Sequence, residues 1–229
     1  MAKQVKILSV GGSIIIPKEG FDISFIKKFR TLIMTEIEKG TKFILVIGGG
    51  NTARMYQDGL RNMGEQKNVT LDWMGIDATI INAKFVKYIF GDVAYKDVIT
   101  NPNKKISTSK SLIIAAGEKP GQSSDMAAVR LAKTFGASEV LNLSNIAYVY
   151  DKDPNKYDNA QKIESINWAS FRRDIVGNEW IPGKNVPFDP TAAKGAQKLG
   201  LMVKMVEGTS LRELKKALRG DMFKGTVIR

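Results

Sequence analysis

The sequence predicts an α/β fold with a mainly parallel central sheet and helices on both faces of the sheet. Short apolar runs typical of buried strands alternate with segments in which apolar residues recur every three or four positions. Glycine pairs or triplets end the first two of these runs. This alternation is typical of parallel sheets with crossover helices. Because no repeat or linker divides the 229 residues, we expect one domain over residues 1–229, built from two tightly joined lobes.

The predicted strands are short and continuously apolar, as expected for strands that are covered on both faces. Gly11 ends the first run and Gly48 ends the second. The run at 93–99 is weaker, and the run at 226–228 is predicted to close a hairpin or a sheet edge. The complete set of predicted strands is 5–10, 43–47, 93–99, 111–116, 139–143, 201–206 and 226–228.

The predicted helices begin at residues that commonly cap helices. The candidate caps are Asp22 or Ser24, Asn51, Asp189 and Ser210. Pro190 suits the first helical position after Asp189, and Glu213 has capping-box spacing from Ser210. A longer helix from about 72 to 90 is apolar on most of its circumference, which predicts burial at the centre of the fold or at a subunit contact.

Two residue types are missing, since the sequence contains neither cysteine nor histidine. Disulfides, thiolate metal sites, histidine-bound zinc and Ser-His-Asp hydrolysis are therefore excluded. Any catalysis must use carboxylates, lysine, arginine, backbone amides or a hard cation held by oxygen atoms. The three tryptophans, Trp73, Trp168 and Trp180, are predicted to serve in packing or in an interface.

The formal net charge of +12 fits either a nucleic-acid binder or an enzyme for small polyanions. The basic residues are spread along the chain, and the densest stretch, 104–110, lacks interleaved aromatic residues, so we expect no nucleic-acid partner. No apolar run reaches the roughly 18 residues of a membrane span. Because the N-terminus also lacks the features of a signal peptide, we expect a cytoplasmic protein without a membrane partner.

Two predicted strand ends have the composition of phosphate-binding loops. The first is Gly11-Gly12-Ser13, and the second is Gly-Gly-Gly-Asn at 48–51. Glycine lets backbone amides approach an anion closely, and a following helix N-terminus adds partial positive charge. Arg54 lies one turn into the second helix, where its guanidinium could reach the same phosphate. The alternative is that both segments are ordinary tight turns.

A third strand end, residues 117–125, brings two hydroxyls and a carboxylate to a helix start. A helix cap needs only one such side chain, so the cluster favours a hydroxyl-lined nucleotide pocket. No Gly-Lys-Ser/Thr follows a glycine loop at Walker A spacing, and no protein-kinase signature is present. Several families of phosphate-binding α/β proteins remain open at this stage.

Four segments resemble motifs of the amino-acid-kinase superfamily. Residues 48–54, Gly-Gly-Gly-Asn-Thr-Ala-Arg, resemble its glycine loop, and residues 145–154 resemble its nucleotide loop. Residues 72–83 are similar to the uridylate-kinase helix, in which Asp precedes an aromatic residue, a Gly and Ala-Thr-x-x-Asn. Residues 223–228 resemble the terminal Gly-Thr-hydrophobic strand. The resemblance runs from residue 7 to 228, fits the archaeal-type branch best, and implies an amino-acid-kinase fold with phosphoryl transfer from ATP to UMP.

The resemblance implies a role for each matching position. The residues implied for catalysis are Arg54, Asp125 and Asp189. Those implied for UMP binding are Gly49, Asp72, Glu118, Lys119, Pro120, Gly121, Gln122, Ser123 and Ser124. Those implied for ATP binding are Gly12, Ser13, Gly50, Arg54, Ser144, Tyr150 and Asp153. Mg²⁺ would bridge the ATP phosphates, and no side chain is assigned as a metal ligand. The resemblance also implies a homohexamer, built as a trimer of dimers.

Several residue roles stay open. Asp72 could bind ribose hydroxyls or cap its own helix, and Asp189 could cap the next helix or face the reacting phosphates. Either Lys6 or Lys194 could join Arg54 in offsetting the charge that develops during transfer.

Two departures from the family pattern keep other functions open. Ser9 stands where many members have lysine, and Ala147 stands where the nucleotide loop usually has aspartate. One alternative is a kinase for another small acceptor, such as an amino acid, carbamate or isopentenyl phosphate; the missing histidine weakens the last of these. The other alternative is a non-catalytic protein that binds a nucleotide or oxyanion on the same scaffold.

Overall fold

The structure, a computed structural model, describes residues 5–65, 67–154, 156–177, 179 and 186–229. The strands are β1 (Val5–Val10), β2 (Lys42–Ile47), β3 (Leu112–Ala115), β4 (Glu139–Ser144), β5 (Val149–Tyr150), β6 (Lys162–Ile163), β7 (Ser165–Ile166), β8 (Met202–Glu207) and β9 (Gly225–Ile228). The helices are α1 (Gly12–Ile15), α2 (Ile23–Glu38), α3 (Gly50–Asn62), α4 (Asn68–Phe90), α5 (Ser124–Phe135), α6 (Trp168–Ser170), α7 (Pro190–Leu199) and α8 (Leu211–Arg219).

Seven strands form a sheet in the order β3-β2-β1-β4-β8-β9-β7, and β5 pairs with β6 separately. All neighbours in the large sheet are parallel except β8 and β9. In register, Val10 of β1 lies beside Ile47 of β2 and Leu143 of β4. The carboxyl ends of three central strands therefore meet at one edge of the sheet. This architecture confirms the predicted α/β class.

Two apolar clusters cover the faces of the sheet. One contains Phe171 and Phe188 with small residues of α5 and α7. The other contains Phe29 and Phe43 with residues of α2, α4 and α8. All four phenylalanine side chains are fully buried, and each such burial stabilises the fold by about 1.5–3 kcal/mol. The sheet is thus held rigidly on both sides, which fixes the positions of the loops at its carboxyl edge.

The structure corrects three predicted helix starts. The longest helix begins at Asn68, so Asp72 lies inside α4 and does not cap it. The residue before α3 is Gly49, and Asn51 is already helical. Ser210 precedes α8 but makes no side-chain cap bond. The predicted capping box does not form because the Glu213 carboxylate instead accepts from the ammonium group of Lys216 and the backbone amide of Lys224.

The predicted strand at 93–99 is wrong. Gly91–Val93 forms a single 3₁₀ turn, and only Ala94 and Ile99 form isolated bridges to Leu112 and Ala115 of the β3 strand. Residues 96 and 97 between the two bridges form a bend, which interrupts the ladder. The final run is confirmed as an antiparallel partner of β8.

The structure also bears on the predicted roles of the tryptophans and on membrane spans. Trp168 packs in the core, where its indole N–H donates to the Leu201 carbonyl at 2.8 Å. Trp73 lies half-exposed on α4, and Trp180 lies outside the described residues. Among the helices that the structure describes, none is both long and apolar enough to cross a membrane.

Candidate active site

A cavity of about 780 Å³ opens at the carboxyl edge of the sheet. Its volume lies within the range of small-molecule sites. All three glycine-containing strand ends singled out in the sequence, at 11–13, 48–51 and 117–125, contribute to its walls, together with one side of α3 and the first half of α4. The predicted site residues that line it are Gly12, Ser13, Gly49, Gly50, Arg54, Asp72, Lys119, Pro120, Gln122, Ser123, Ser124, Asp125 and Ser144.

The first two glycine loops pack backbone against backbone at the centre of this cavity. A Cβ added to Gly12 would lie 2.4 Å from the Gly50 nitrogen, and one added to Gly50 would lie 2.3 Å from the Ser13 nitrogen. Gly50 also has a φ of +54°, which favours glycine. We call this contact between Gly12 and Gly50 the glycine seam. It explains why both loops need glycine, beyond what ordinary turns would require.

Asn82 holds the second loop in place from α4. Its buried side-chain amide donates to the carbonyls of Gly48 and Gly49, at 3.0 Å each. The carbonyls are thereby turned toward α4, and α3 begins at Gly50 without a side-chain cap. Uncapped N–H groups at a helix start, together with its partial positive charge, suit an anion. Sequence reasoning quoted Asn82 only as part of a motif and gave it no role.

Arg54 links the two glycine loops through its side chain. The guanidinium Nη2 donates to the Ser13 hydroxyl at 2.9 Å, and the residue is otherwise exposed. A cation is therefore placed between two loops that can each approach a phosphate. The guanidinium of Arg54 thus lies beside both glycine loops, and its contact with a phosphate stays a prediction.

Asp72 faces the 117–121 loop, so the possibility that it only caps a helix is wrong. Its Oδ2 accepts from the Gly121 amide at 2.9 Å. The same loop is held two turns later along α4 by Thr79, whose hydroxyl accepts from the Gly117 amide at 2.8 Å. Gly121 itself does not line the cavity, and Glu118 points away and pairs with Arg130 at 2.9 Å. Asp72 thus orders a loop and presents a carboxylate to the cavity.

Two neighbouring carboxylates, Asp125 and Asp189, lie near the carboxyl ends of β1 and β4. Asp125 accepts from the Ser9 hydroxyl at 2.9 Å, the Asn142 amide at 3.2 Å and the Asp189 backbone N–H at 3.3 Å. Burial raises the pKa of Asp125 to about 6, and the nearby Asp189 carboxylate also raises it. Ser9, at the position where the family resemblance implied a lysine, is therefore a neutral donor to a partly buried acid.

Asp189 makes the cap contacts of α7. Its Oδ1 accepts from the backbone N–H of Thr191 at 2.6 Å and of Ala192 at 3.2 Å, and its Oδ2 accepts from the Ser123 hydroxyl. The residue is 1% exposed and does not line the cavity. Of the two roles predicted for Asp189, the structure shows the helix cap. The same side chain also connects α7 to the 117–125 loop through the Ser123 hydroxyl.

The other predicted nucleotide contacts lie away from this cavity. Tyr150 lies in β5 and Asp153 in the turn after it, and neither lines the cavity; nor does Ala147. Lys6 cannot serve the reaction in this structure, because it is buried at the opposite end of β1, where it and Lys204 both pair with Glu139.

The cationic side chains that line the cavity, within the part of the chain the structure describes, are Arg54, Arg61 and Lys119. Lys194 is exposed on α7 and is not among them. Sequence reasoning missed Arg61, although its spacing of seven residues from Arg54 places both on one face of α3. No group of three or more carboxylate, histidine or cysteine side chains in the described ranges could hold a metal ion.

Comparisons with known proteins, by sequence and by structure, all indicate the same family. The amino acid kinase family model matches residues 4–205. The chain is 30% identical over 224 residues to the uridylate kinase of Methanospirillum hungatei, covering 97% of this chain and 93% of that protein. It is also 30% identical to the uridylate kinase of Methanocaldococcus jannaschii, with 97% and 98% covered.

A solved structure agrees with the sequence relatives. The uridylate kinase of Archaeoglobus fulgidus superposes with a TM-score of 0.81 at 27% identity, covering 99% of this chain and all of that one. The UMP kinase of Bacillus anthracis shares the fold, with a TM-score of 0.77 at 18% identity. The chain belongs to the amino acid kinase family.

Proposed function

We propose that this protein is a uridylate kinase, which transfers the γ-phosphoryl group of ATP to UMP and yields UDP and ADP. One observation supports this most directly: a single cavity joins two glycine loops at the glycine seam, with Arg54 bonded across both loops. Such a site suits two phosphate groups that must meet. The uridylate kinases to which the chain is similar supply the identity of the acceptor.

The proposed chemistry needs positioning and charge neutralisation more than it needs an acid or a base. An oxygen of the UMP phosphate attacks the γ-phosphorus of ATP, and the bond from that phosphorus to the β–γ bridging oxygen breaks. ADP leaves with the bonding electrons, and no proton has to move because the attacking phosphate is already anionic. This agrees with a chain that has no histidine.

The proposed binding roles divide the cavity into two halves. UMP occupies the half between α3, the first turns of α4 and the 117–124 loop, with its ribose on Asp72. The donor phosphates lie on Gly12, Ser13 and Gly50, and the rest of ATP extends past Ser144. Tyr150 and Asp153 would join the nucleotide only if their loop moved closer. Mg²⁺ would be held by the phosphates and water and would neutralise their charge.

Asp125 and Asp189 have different proposed roles. Asp125 lines the cavity beneath the phosphates and is a candidate for direct contact with the reacting groups. Asp189 acts indirectly, because its carboxylate positions the Ser123 hydroxyl and caps the start of α7. A proposed division into an acceptor-binding N-terminal part and an ATP-binding C-terminal part follows from these positions.

We also propose that two copies pair through α4. Its exposed face contains Trp73, Asp77, Ile81, Lys84 and Tyr88, at spacings that keep them on one side of the helix. Trp73, Ile81 and Tyr88 are 49%, 60% and 71% exposed, which is unusual for large apolar residues that share one face.

The order of residues along this face suits a two-fold symmetric, antiparallel pairing. Trp73 and Tyr88 lie equally far from the midpoint of the helix stripe, and so do Asp77 and Lys84. In an antiparallel pair, each acid would face the base of the other copy and each tryptophan would face a tyrosine. Such a dimer would be the building unit of the homohexamer, and the cytoplasmic location and the place in pyrimidine nucleotide biosynthesis remain predictions.

A coupled assay of ADP release tests the function. Purified protein is given ATP and Mg²⁺ with UMP, dUMP, CMP, acetylglutamate or carbamate as acceptor. We expect turnover with UMP, and weaker turnover with dUMP because Asp72 loses a ribose hydroxyl partner. Turnover with acetylglutamate or carbamate alone would contradict the proposed acceptor. Tight UMP binding by calorimetry without any ADP release would favour a non-catalytic nucleotide-binding protein.

A further inference from the structure

An ion pair at the outer end of the cavity has no role in the site described above. The Arg61 Nη1 donates to the Asp58 Oδ1 at 2.7 Å, and both residues line the cavity from α3. We propose that this pair recognises the Watson–Crick edge of uracil and makes the enzyme prefer UMP to CMP. The inference rests on the proposed function and adds the residues that select the base.

The position of the pair follows from helix geometry. Arg54, Asp58 and Arg61 are spaced four and three residues apart, so they share one face of α3. At 1.5 Å of rise per residue, Asp58 lies about 6 Å and Arg61 about 10 Å beyond Arg54 along the axis. Because α3 begins at the glycine seam, an acceptor whose phosphate lies at the seam would extend along this face of the helix.

The wall of the cavity formed by the start of α4 is consistent with a nucleotide whose phosphate lies at the glycine seam and whose base lies farther along α3. Gln57 fixes α3 against the start of α4, because its amide donates to the Leu71 carbonyl at 2.8 Å. Asp72, the proposed ribose ligand, is the next residue along α4. The ribose would therefore lie level with the middle of α3, and the base would reach Asp58 and Arg61.

The ion pair still has free hydrogen-bonding groups. Apart from the bond between them, neither Asp58 nor Arg61 contacts another polar group of the described residues. Asp58 retains a free acceptor oxygen, and Arg61 retains free N–H donors. Their side chains are 65% and 44% exposed, so a ligand can reach both. The pair therefore offers an acceptor nearer the phosphates and a donor farther out.

This order of acceptor and donor matches uracil and not cytosine. A pyrimidine is attached to the ribose through N1, so N3 is met before the substituent on C4 on moving outward. Uracil presents an N3–H donor and then the O4 acceptor, which suit Asp58 and Arg61 in that order. Cytosine presents an N3 lone pair and then an amino group, so both contacts would face the wrong partner.

Substitution of the pair tests the inference. Steady-state kinetics with UMP and CMP are compared for the unmodified protein, Asp58→Asn and Arg61→Met, with UMP and CMP binding measured by calorimetry without ATP. We expect each variant to lower the UMP-to-CMP ratio of kcat/KM by about 10-fold, because a charge-assisted contact to uracil is lost. The KM for ATP should not change. The matched control is Asp174→Asn, which breaks an exposed Arg–Asp pair outside the cavity.

A modified ligand gives a second, independent measurement. Methylation of N3 in 3-methyl-UMP removes the donor that Asp58 would accept. We expect the unmodified protein to bind 3-methyl-UMP about 10-fold more weakly than UMP, and Asp58→Ala to bind the two equally. An unchanged UMP-to-CMP ratio in both variants, with UMP still phosphorylated, would overturn base recognition by this pair and leave the proposed function standing. Failure of the unmodified protein to phosphorylate or bind UMP would overturn both.

Discussion

At the scale of single residues, two charged groups of the candidate site have neutral hydrogen-bond partners. Arg54 is the cation that spans both glycine loops, and the acid beneath them, Asp125, is surrounded by neutral donors. The effects of Arg54 and of Asp125 can therefore be measured separately, by single substitutions.

Removal of the Arg54 side chain should lower activity without harming the fold. Arg54→Ala deletes a cation that would contact phosphate, and kcat/KM for UMP should fall roughly 100-fold. The melting temperature should hardly change, because the residue is exposed and, within the described part of the chain, its side chain bonds only to Ser13. Arg212→Ala, an exposed arginine on α8, is the control for a general loss of positive charge. Normal kinetics in a folded Arg54→Ala protein would remove this residue from the site.

The partly buried carboxyl group of Asp125 leads to a prediction about stability and pH. The pKa of Asp125 is about 6 in the folded protein, against an ordinary value of 3.8. The folded state therefore binds more protons than the unfolded state between these values, and this residue's contribution to the free energy of unfolding falls as pH rises from about 4 to about 6. The loss is about 3 kcal/mol at most.

Urea unfolding of the unmodified protein and of Asp125→Asn across this range isolates the effect. Other carboxylates, such as Glu36, have lowered pKa values and titrate in both proteins, so they cancel in the difference. The unmodified protein should lose stability relative to the variant up to about pH 6 and then level off. A difference that does not depend on pH would show that Asp125 titrates normally.

At the scale of elements, continuous apolar strands and glycine-bounded helices could be predicted because local sequence determines them. The start of α4 was missed because Asn68 and Thr70 suggest a loop, and packing of α4 against α3 overrides this preference. The contact of Asp72 with Gly121 joins residues 49 positions apart. The link from Ser123 to Asp189 spans 66 positions. No local pattern predicts such pairings, so the site was predicted as three loops and not as one cavity.

The glycine seam gives a prediction with an internal control. In Gly50→Ala the new Cβ would lie within 2.3 Å of backbone atoms that cannot move aside, so the loops must separate. We expect loss of activity and a drop of several degrees in melting temperature. Gly59→Ala lies in the same helix with no atom within 4 Å of its new Cβ, and should raise stability by about 0.5–1 kcal/mol. Equal behaviour of the two variants would contradict the close packing at the seam.

At the scale of the whole molecule, the α4 face predicts how copies associate. Asp77→Lys would place two lysines opposite each other in the antiparallel pair, and it should shift the protein to a smaller species in analytical ultracentrifugation. The double variant Asp77→Lys, Lys84→Asp should restore association, because the charges are exchanged and still complementary. Lys28→Glu, on the exposed side of α2, is the control. Failure of the double variant to recover would reject this register.

The backbone contact at the glycine seam also limits how such a protein can diverge. Because the two glycine loops touch through their main chains, the distance between the loops is set by backbone contact and not by a side chain. Substitution of Gly12 or Gly50 would push the two loops apart, whereas a Cβ at Gly59, farther along α3, would meet no described atom within 4 Å. Proteins with this seam can therefore acquire a new acceptor through substitutions in the cavity walls, while the backbone contact between the two glycine loops and the transfer reaction stay the same.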